Sequence, residues 1–201
     1  MALECLKFPK KFVSFLFFNL IFMKIIKGFK GLVVIMMAAF VLTACGGGAV
    51  SKGFVSSEEG RFSVEFPDAP KLSSVVQPSD VGDITINSYA YEIDDKNGYV
   101  LMYMDFPTEL MEASDPKVLL EDGLNGQLQT FGADLNVEKK EEISIDGNPG
   151  LYARAIAGDF YAITKDYLVG NRAYILMMVK SGAYASEEEE AAFLGTFKLL
   201  K

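Results

Sequence analysis

Histidine is absent from all 201 residues. That removes the commonest general base, the commonest neutral metal ligand and the usual proton switch near neutral pH. Cysteine is almost as scarce, with only Cys5 and Cys45, so no set of cysteines can hold a structural zinc. A Gly-x-Ser-x-Gly nucleophile elbow and a P-loop are both missing, which excludes the commonest routes to acyl and phosphoryl transfer. Carboxylates are plentiful, but in so acidic a chain some proximity between them is expected, and no pair stands out as a glycosidase pair. The sequence nominates no catalytic residue, calls for no cofactor and points away from an enzyme.

The front of the chain carries the most specific pattern. Met23-Lys24-Ile25-Ile26-Lys27-Gly28-Phe29-Lys30 is basic, Leu32 to Val41 is apolar, and Leu42-Thr43-Ala44 ends in small residues directly before Cys45. A basic segment, a short apolar stretch and a small-residue cleavage site make the layout of a secretory signal peptide. The apolar stretch is well short of the roughly 18 residues that a membrane span needs. Leu42-Thr43-Ala44-Cys45-Gly46 resembles the lipobox of bacterial lipoproteins at every position. That resemblance implies cleavage between Ala44 and Cys45, a diacylglyceryl group on the Cys45 thiol and acylation of the new amino terminus. Several acyl chains would hold the protein at a membrane, since each buried methylene contributes about 0.8 kcal/mol. A basic and apolar unit at residues 1–22 precedes a signal already complete from Met23, so Met23 is expected to be the true start. Gly46, not aspartate, follows the cysteine; in an organism with two membranes the lipoprotein pattern then implies the outer one, facing the periplasm or the exterior.

From Cys45 onward the chain holds 13 basic and 26 acidic residues, a formal charge of −13. Such a surface repels phosphate backbones, so nucleic acid is not an expected partner. With Cys45 lipidated and Cys5 removed, no disulfide can form, and the fold must rest on packing. Cys45 to Gly53 is a glycine-rich tether of at most about 3.3 to 3.6 Å per residue, which keeps the domain at residues 54–201 close to its membrane.

Within that domain Phe62, Val64 and Phe66 alternate and stop at Pro67, as a strand should. Two β-branched and aromatic segments flank Asp94 to Gly98 and predict a hairpin in which Asn97-Gly98 takes positive φ. Asp115 and Pro116 suit the N-cap and first position of a helix whose Leu120, Leu124, Leu128 and Phe131 form one stripe, with Gly132 as its end. Strands are expected over Val137 to Ile145, Gly150 to Ala157 and Phe160 to Val169, the first two separated by the turn Asp146 to Gly150. Arg172 to Lys180 is apolar on both faces and should be covered on both. Ser186 to Glu189 reads as a capping box opening a last helix, from which Phe193 and Phe197 would pack on the sheet. The acidic run Glu187 to Glu190 reads as a solvated helix start. Strands, a middle helix, more strands and a terminal helix together predict an α+β fold, a largely antiparallel sheet sandwiched between helices.

The segments "EGRFSVEFPDAP", "DPKVLLEDGLNGQL", "ISIDGNPGLYAR", "NRAYILMMV" and "EEAAFLGTFKLL" occur in an order that resembles the PsbP-like superfamily, in particular its DcrB-type bacterial lipoproteins. The resemblance runs from about Phe54 to Lys201. It implies the same α/β/α sandwich and a role in binding proteins.

Two further readings concern ligands. Met102 and Met104 would point to one strand face, with Met177 and Met178 on a neighbouring strand, and thioethers favour Cu(I). Methionine also fills irregular cores, which is the simpler reading. Taken together, the sequence predicts a non-enzymatic lipoprotein of the bacterial envelope, held to the membrane through Cys45, that binds a protein partner or supports envelope assembly. The alternative is a carrier or sensor of a small apolar ligand in a pocket between layers.

Overall fold

The structure, a computed structural model, describes residues 53–78, 82–129 and 135–201. The expected signal and lipobox and nearly all of the expected tether lie outside the described residues, as do Phe131 and Gly132 at the expected end of the middle helix. Ten strands are described: β1 (Phe54–Ser57), β2 (Phe62–Glu65), β3 (Lys71–Gln77), β4 (Ile84–Glu92), β5 (Gly98–Asp105), β6 (Leu135–Ile145), β7 (Asn148–Ala157), β8 (Phe160–Val169), β9 (Arg172–Ser181) and β10 (Lys198–Leu199). Three helices accompany them: α1 (Thr108–Ala113), α2 (Pro116–Gln129) and α3 (Glu187–Phe193).

Seven strands form one sheet in the order β3-β4-β5-β9-β8-β7-β6, every neighbouring pair antiparallel. The remaining three form a small sheet, β1-β2-β10, so the last strand returns to pair beside the first two. The expected α+β class and the largely antiparallel sheet are both present. On one face of the large sheet lies α2, and on the other α3 shares the cover with the small sheet.

Local chemistry explains most of these elements. The two-residue turn between β6 and β7 is Asp146-Gly147, both at positive φ (49° and 81°), the pattern a type I′ hairpin requires. The β4–β5 hairpin departs from the expectation, because neither Asn97 nor Gly98 has positive φ. Asp94 organises this turn instead. Its carboxylate accepts from the Lys96 and Asn97 backbone N–H groups at 2.8 and 2.9 Å and from Asn97 Nδ2 at 2.8 Å, as Asx turns do. At the start of α2, Asp115 Oδ1 accepts from Lys117 N at 2.8 Å. The capping box of α3 forms as read, with Ser186 Oγ accepting from Glu189 N and Glu189 Oε2 accepting from Ser186 N.

The alternation of β9 divides the core in two. Ala173, Ile175, Met177 and Val179 face α2, where they join Met102, Met104, Leu120, Leu124 and Leu128. Ala153, Ala155 and Ala162 lie in the same layer, and their small side chains let the helix approach the sheet. Tyr174, Leu176 and Met178 face the small sheet, in a layer dominated by rings. Phe62 is its centre, with ring centroids 5.5 Å from Tyr89, 5.8 Å from Tyr103 and 6.0 Å from Phe197. Each such pair contributes about 0.5 to 1.5 kcal/mol beyond the area it buries.

Candidate functional site

Cys45 and Ala44, the expected lipidation and cleavage positions, lie outside the described residues. Met102 and Met104 are both buried, in the layer beneath α2 together with Met177, while Met178 points to the opposite layer. Three thioethers therefore share one face, and their neighbours Ile175, Leu120 and Leu124 are aliphatic. Among the described residues no three His, Cys, Asp or Glu side chains are grouped to hold a metal ion. Both Asp94 oxygens are occupied by donors of their own turn.

Apart from Ser88, whose hydroxyl meets that of Ser73 at 2.8 Å, the polar groups described as drawn inward gather in three places. Beneath α2, Asp166 of β8 is fully buried, accepting from Thr164 Oγ1 at 2.5 Å and from Gln127 Nε2 at 2.8 Å. Burial pushes its carboxyl up to about 7, against which the two hydrogen bonds act. A cavity of about 20 Å³ adjoins it, lined in part by Leu119, Leu120, Gly123 and Ile175.

At one end of the large sheet Arg172 donates to both Asp105 oxygens, each at 2.6 Å, and to the Glu59 carbonyl at 2.6 Å. Its guanidinium lies 5.1 Å from the Tyr103 ring. The hydrogen bonds from Arg172 hold the Asp105 carboxyl below its ordinary value. Tyr174 donates to the Gly60 carbonyl at 2.7 Å, so β9 grips the β1–β2 hairpin twice.

Near α3, Arg154 donates to Glu190 at 2.7 Å and to the Tyr152 hydroxyl at 2.6 Å and lies 5.3 Å from the Tyr184 ring. Lys180 pairs with Glu189 at 2.6 Å. Half of the Glu187 to Glu190 run is thus paired, where the sequence reading made it only a solvated helix start. These three groups fasten layers together, and the hydroxyl set against a carboxylate in the first of them, Thr164 on Asp166, is sealed beneath α2 with both residues buried.

A surface hollow of about 60 Å³ lies by the β4–β5 hairpin, with Val100, Phe160, Met177 and Val179 among its walls. It has room for one side chain, while sites for drug-sized ligands run to about 300 to 1,000 Å³.

The sheet edges are the most asymmetric feature. Edge strands expose unpaired backbone groups, and charges, bulges and proline are the usual protection. β6 is protected in this way: Glu138, Lys139, Lys140, Glu141 and Glu142 run along it and its register slips between Val137 and Lys139. β3 has no bulge and no charge after Lys71, its protection being confined to Lys71 and the prolines at its two ends, Pro70 and Pro78. It pairs with β4 without a break from Lys71↔Ala90 to Gln77↔Ile84, and Leu72 to Gln77 carries no charge. Leu72 is 62% exposed and Val76 58%, and both lie on the small-sheet side, opposite Tyr89 and Thr85. The sequence reading did not place β3. Its signals were Val75-Val76 and the bracketing Pro70 and Pro78, prolines being confined to strand ends and edges.

No protein-family model matches this chain, and no curated protein matches it. Among solved structures it is similar to the solution structure of cyanobacterial PsbP (CyanoP) from Synechocystis sp. PCC 6803, at a TM-score of 0.48 and 12% sequence identity, over 79% of this chain and 98% of that one.

Proposed function

We propose that this chain is a lipid-anchored protein of the bacterial envelope whose domain acts by binding another protein and not by catalysis. The observation that carries the binding reading is β3, an edge strand with an unbroken, uncharged stretch from Leu72 to Gln77 and two exposed apolar side chains, on a sheet whose opposite edge is charged and bulged along its length. Such an edge takes up an extended strand, with backbone hydrogen bonds supplying affinity and alternate side chains supplying selectivity. The anchor is supported by Leu42-Thr43-Ala44-Cys45-Gly46 behind a basic and apolar leader. In this reading residues 23–44 are the signal, 45–53 the tether and 54–201 a PsbP-like domain of the DcrB type, at the outer membrane where there are two.

Two experiments on the full chain in bacterial cells test it. A photo-reactive residue at position 72 is expected to trap a reproducible protein adduct, and the same probe at Glu141 on β6 is not. Equal adducts from both edges, or none from either, would remove β3 as the binding surface. Cys45→Ser is expected to move the chain from the membrane fraction to the soluble fraction. Persistence in the membrane fraction would sink the lipid anchor.

A further inference from the structure

We infer that the partner taken up by β3 is a second copy of this chain, paired β3 to β3 in antiparallel register about a two-fold axis through Ser74. The inference rests on the reading of β3 as the binding edge and goes on to name its occupant.

The register follows from the pleat. Residues opposite each other in an antiparallel ladder share a face, so a symmetric pairing must centre on a residue. Centring on Ser73 sets Lys71 against Val75 and leaves Val76 and Gln77 outside the ladder. Centring on Val75 brings in Pro78, which has no N–H to give. Centring on Ser74 uses all seven residues of β3. Leu72 then faces the partner's Val76 and Val76 the partner's Leu72, Lys71 faces Gln77, and Ser74 meets its own copy. Both exposed apolar side chains are covered by each other, and no like charges are opposed. Self-complementarity of this kind is what a two-fold interface demands.

The geometry also suits two chains on one membrane. An antiparallel pair of identical strands is related by an axis normal to the sheet, which leaves the two copies facing the same way. Both small sheets, and with them both Gly53 entry points, lie on one side of the resulting 14-stranded sheet. Charge sets the strength. Two acidic domains repel, and a seven-residue edge is a small interface, so pairing is expected to be concentration-dependent and favoured where the anchor confines both copies to a surface.

Ser74 is exposed, so its replacement leaves the fold intact. In full-length protein in membranes, Ser74→Cys is expected to give a disulfide-linked dimer on mild oxidation, above the background of the parent chain with its own Cys5 and Cys45. Ser144→Cys on β6 is not. Ser74→Lys and Ser74→Glu alone should each weaken self-association at least tenfold, because like charges would meet at the axis. Co-expression of the two variants should restore it. If Ser74→Cys stays monomeric while the position 72 probe still traps a different protein, the second copy is overturned and the binding edge stands. If neither experiment yields an adduct, both fall.

Discussion

A carboxyl group sealed beneath a helix makes stability depend on pH in an uncommon direction. The Asp166 carboxyl ionises near 3.8 in an unfolded chain and near 7 in the folded one, because burial penalises its charge. Between those values the folded state holds a proton that the unfolded state has released. Stability therefore declines as pH rises from about 4 to about 7 and is level above. Asp166→Asn removes this decline, since Thr164 can donate to its oxygen and the Gln127 amide can turn over to receive its N–H. Denaturant midpoints of parent and variant should diverge in favour of Asp166→Asn as pH rises from about 4 to about 7 and stay a constant distance apart above it, and profiles parallel across that window would refute the assignment. Asp105 acts in the opposite sense. Its carboxyl is held down by Arg172, so its contribution is present above the unfolded value and is lost as pH falls through the folded one. Arg172→Ala forfeits three hydrogen bonds and should cost about 2 kcal/mol in urea denaturation at neutral pH, the half-exposed Asp105 recovering part of its solvation from water.

Elements differ in how openly the sequence declares them. β7, β8 and β9 were legible nearly to the residue, because β-branched and aromatic runs alternate between turn residues that fix the register. α2 and α3 were legible through Asp115-Pro116 and the Ser186 to Glu189 capping box. β10 has two residues and exists only because β2 is there to receive it. α1 is a six-residue turn of helix after Pro107 with no fully buried side chain, so no apolar stripe announces it. At the β4–β5 turn the familiar Asn-Gly signal misled, since Asp94, three residues earlier, captured the backbone donors first. The energetic ranking within α3 can be measured. Ser186→Ala, which removes the cap, should cost about 1 kcal/mol. Phe193→Ala, which empties a buried ring site against Phe66 and Tyr99, should cost about 3 to 5 kcal/mol. Equal losses in chemical denaturation would show that the helix is held by its end and not by its face.

For the whole molecule, the large sheet separates an aliphatic and methionine-rich layer under α2 from an aromatic layer under the small sheet. Leu124 belongs to the first and Phe193 to the second, and they share no partners. The double variant Leu124→Ala, Phe193→Ala should therefore lose the sum of the single losses to within about 0.5 kcal/mol. A larger discrepancy would mean that strain crosses the sheet. The proposed anchor and the proposed binding edge stand at opposite ends of legibility. Five consecutive residues resemble a lipobox in one dimension, whereas β3 stands out only once the strand order places it and β6 at the two ends of one sheet. β9, between β5 and β8, is buried from Arg172 to Val179 and contributes side chains to both layers. No opening of a single layer frees its backbone, so its amide hydrogens should exchange with deuterated solvent only when the entire domain unfolds. Those amides would serve as the molecule's own gauge of global stability, while β3 and β6 report local fraying.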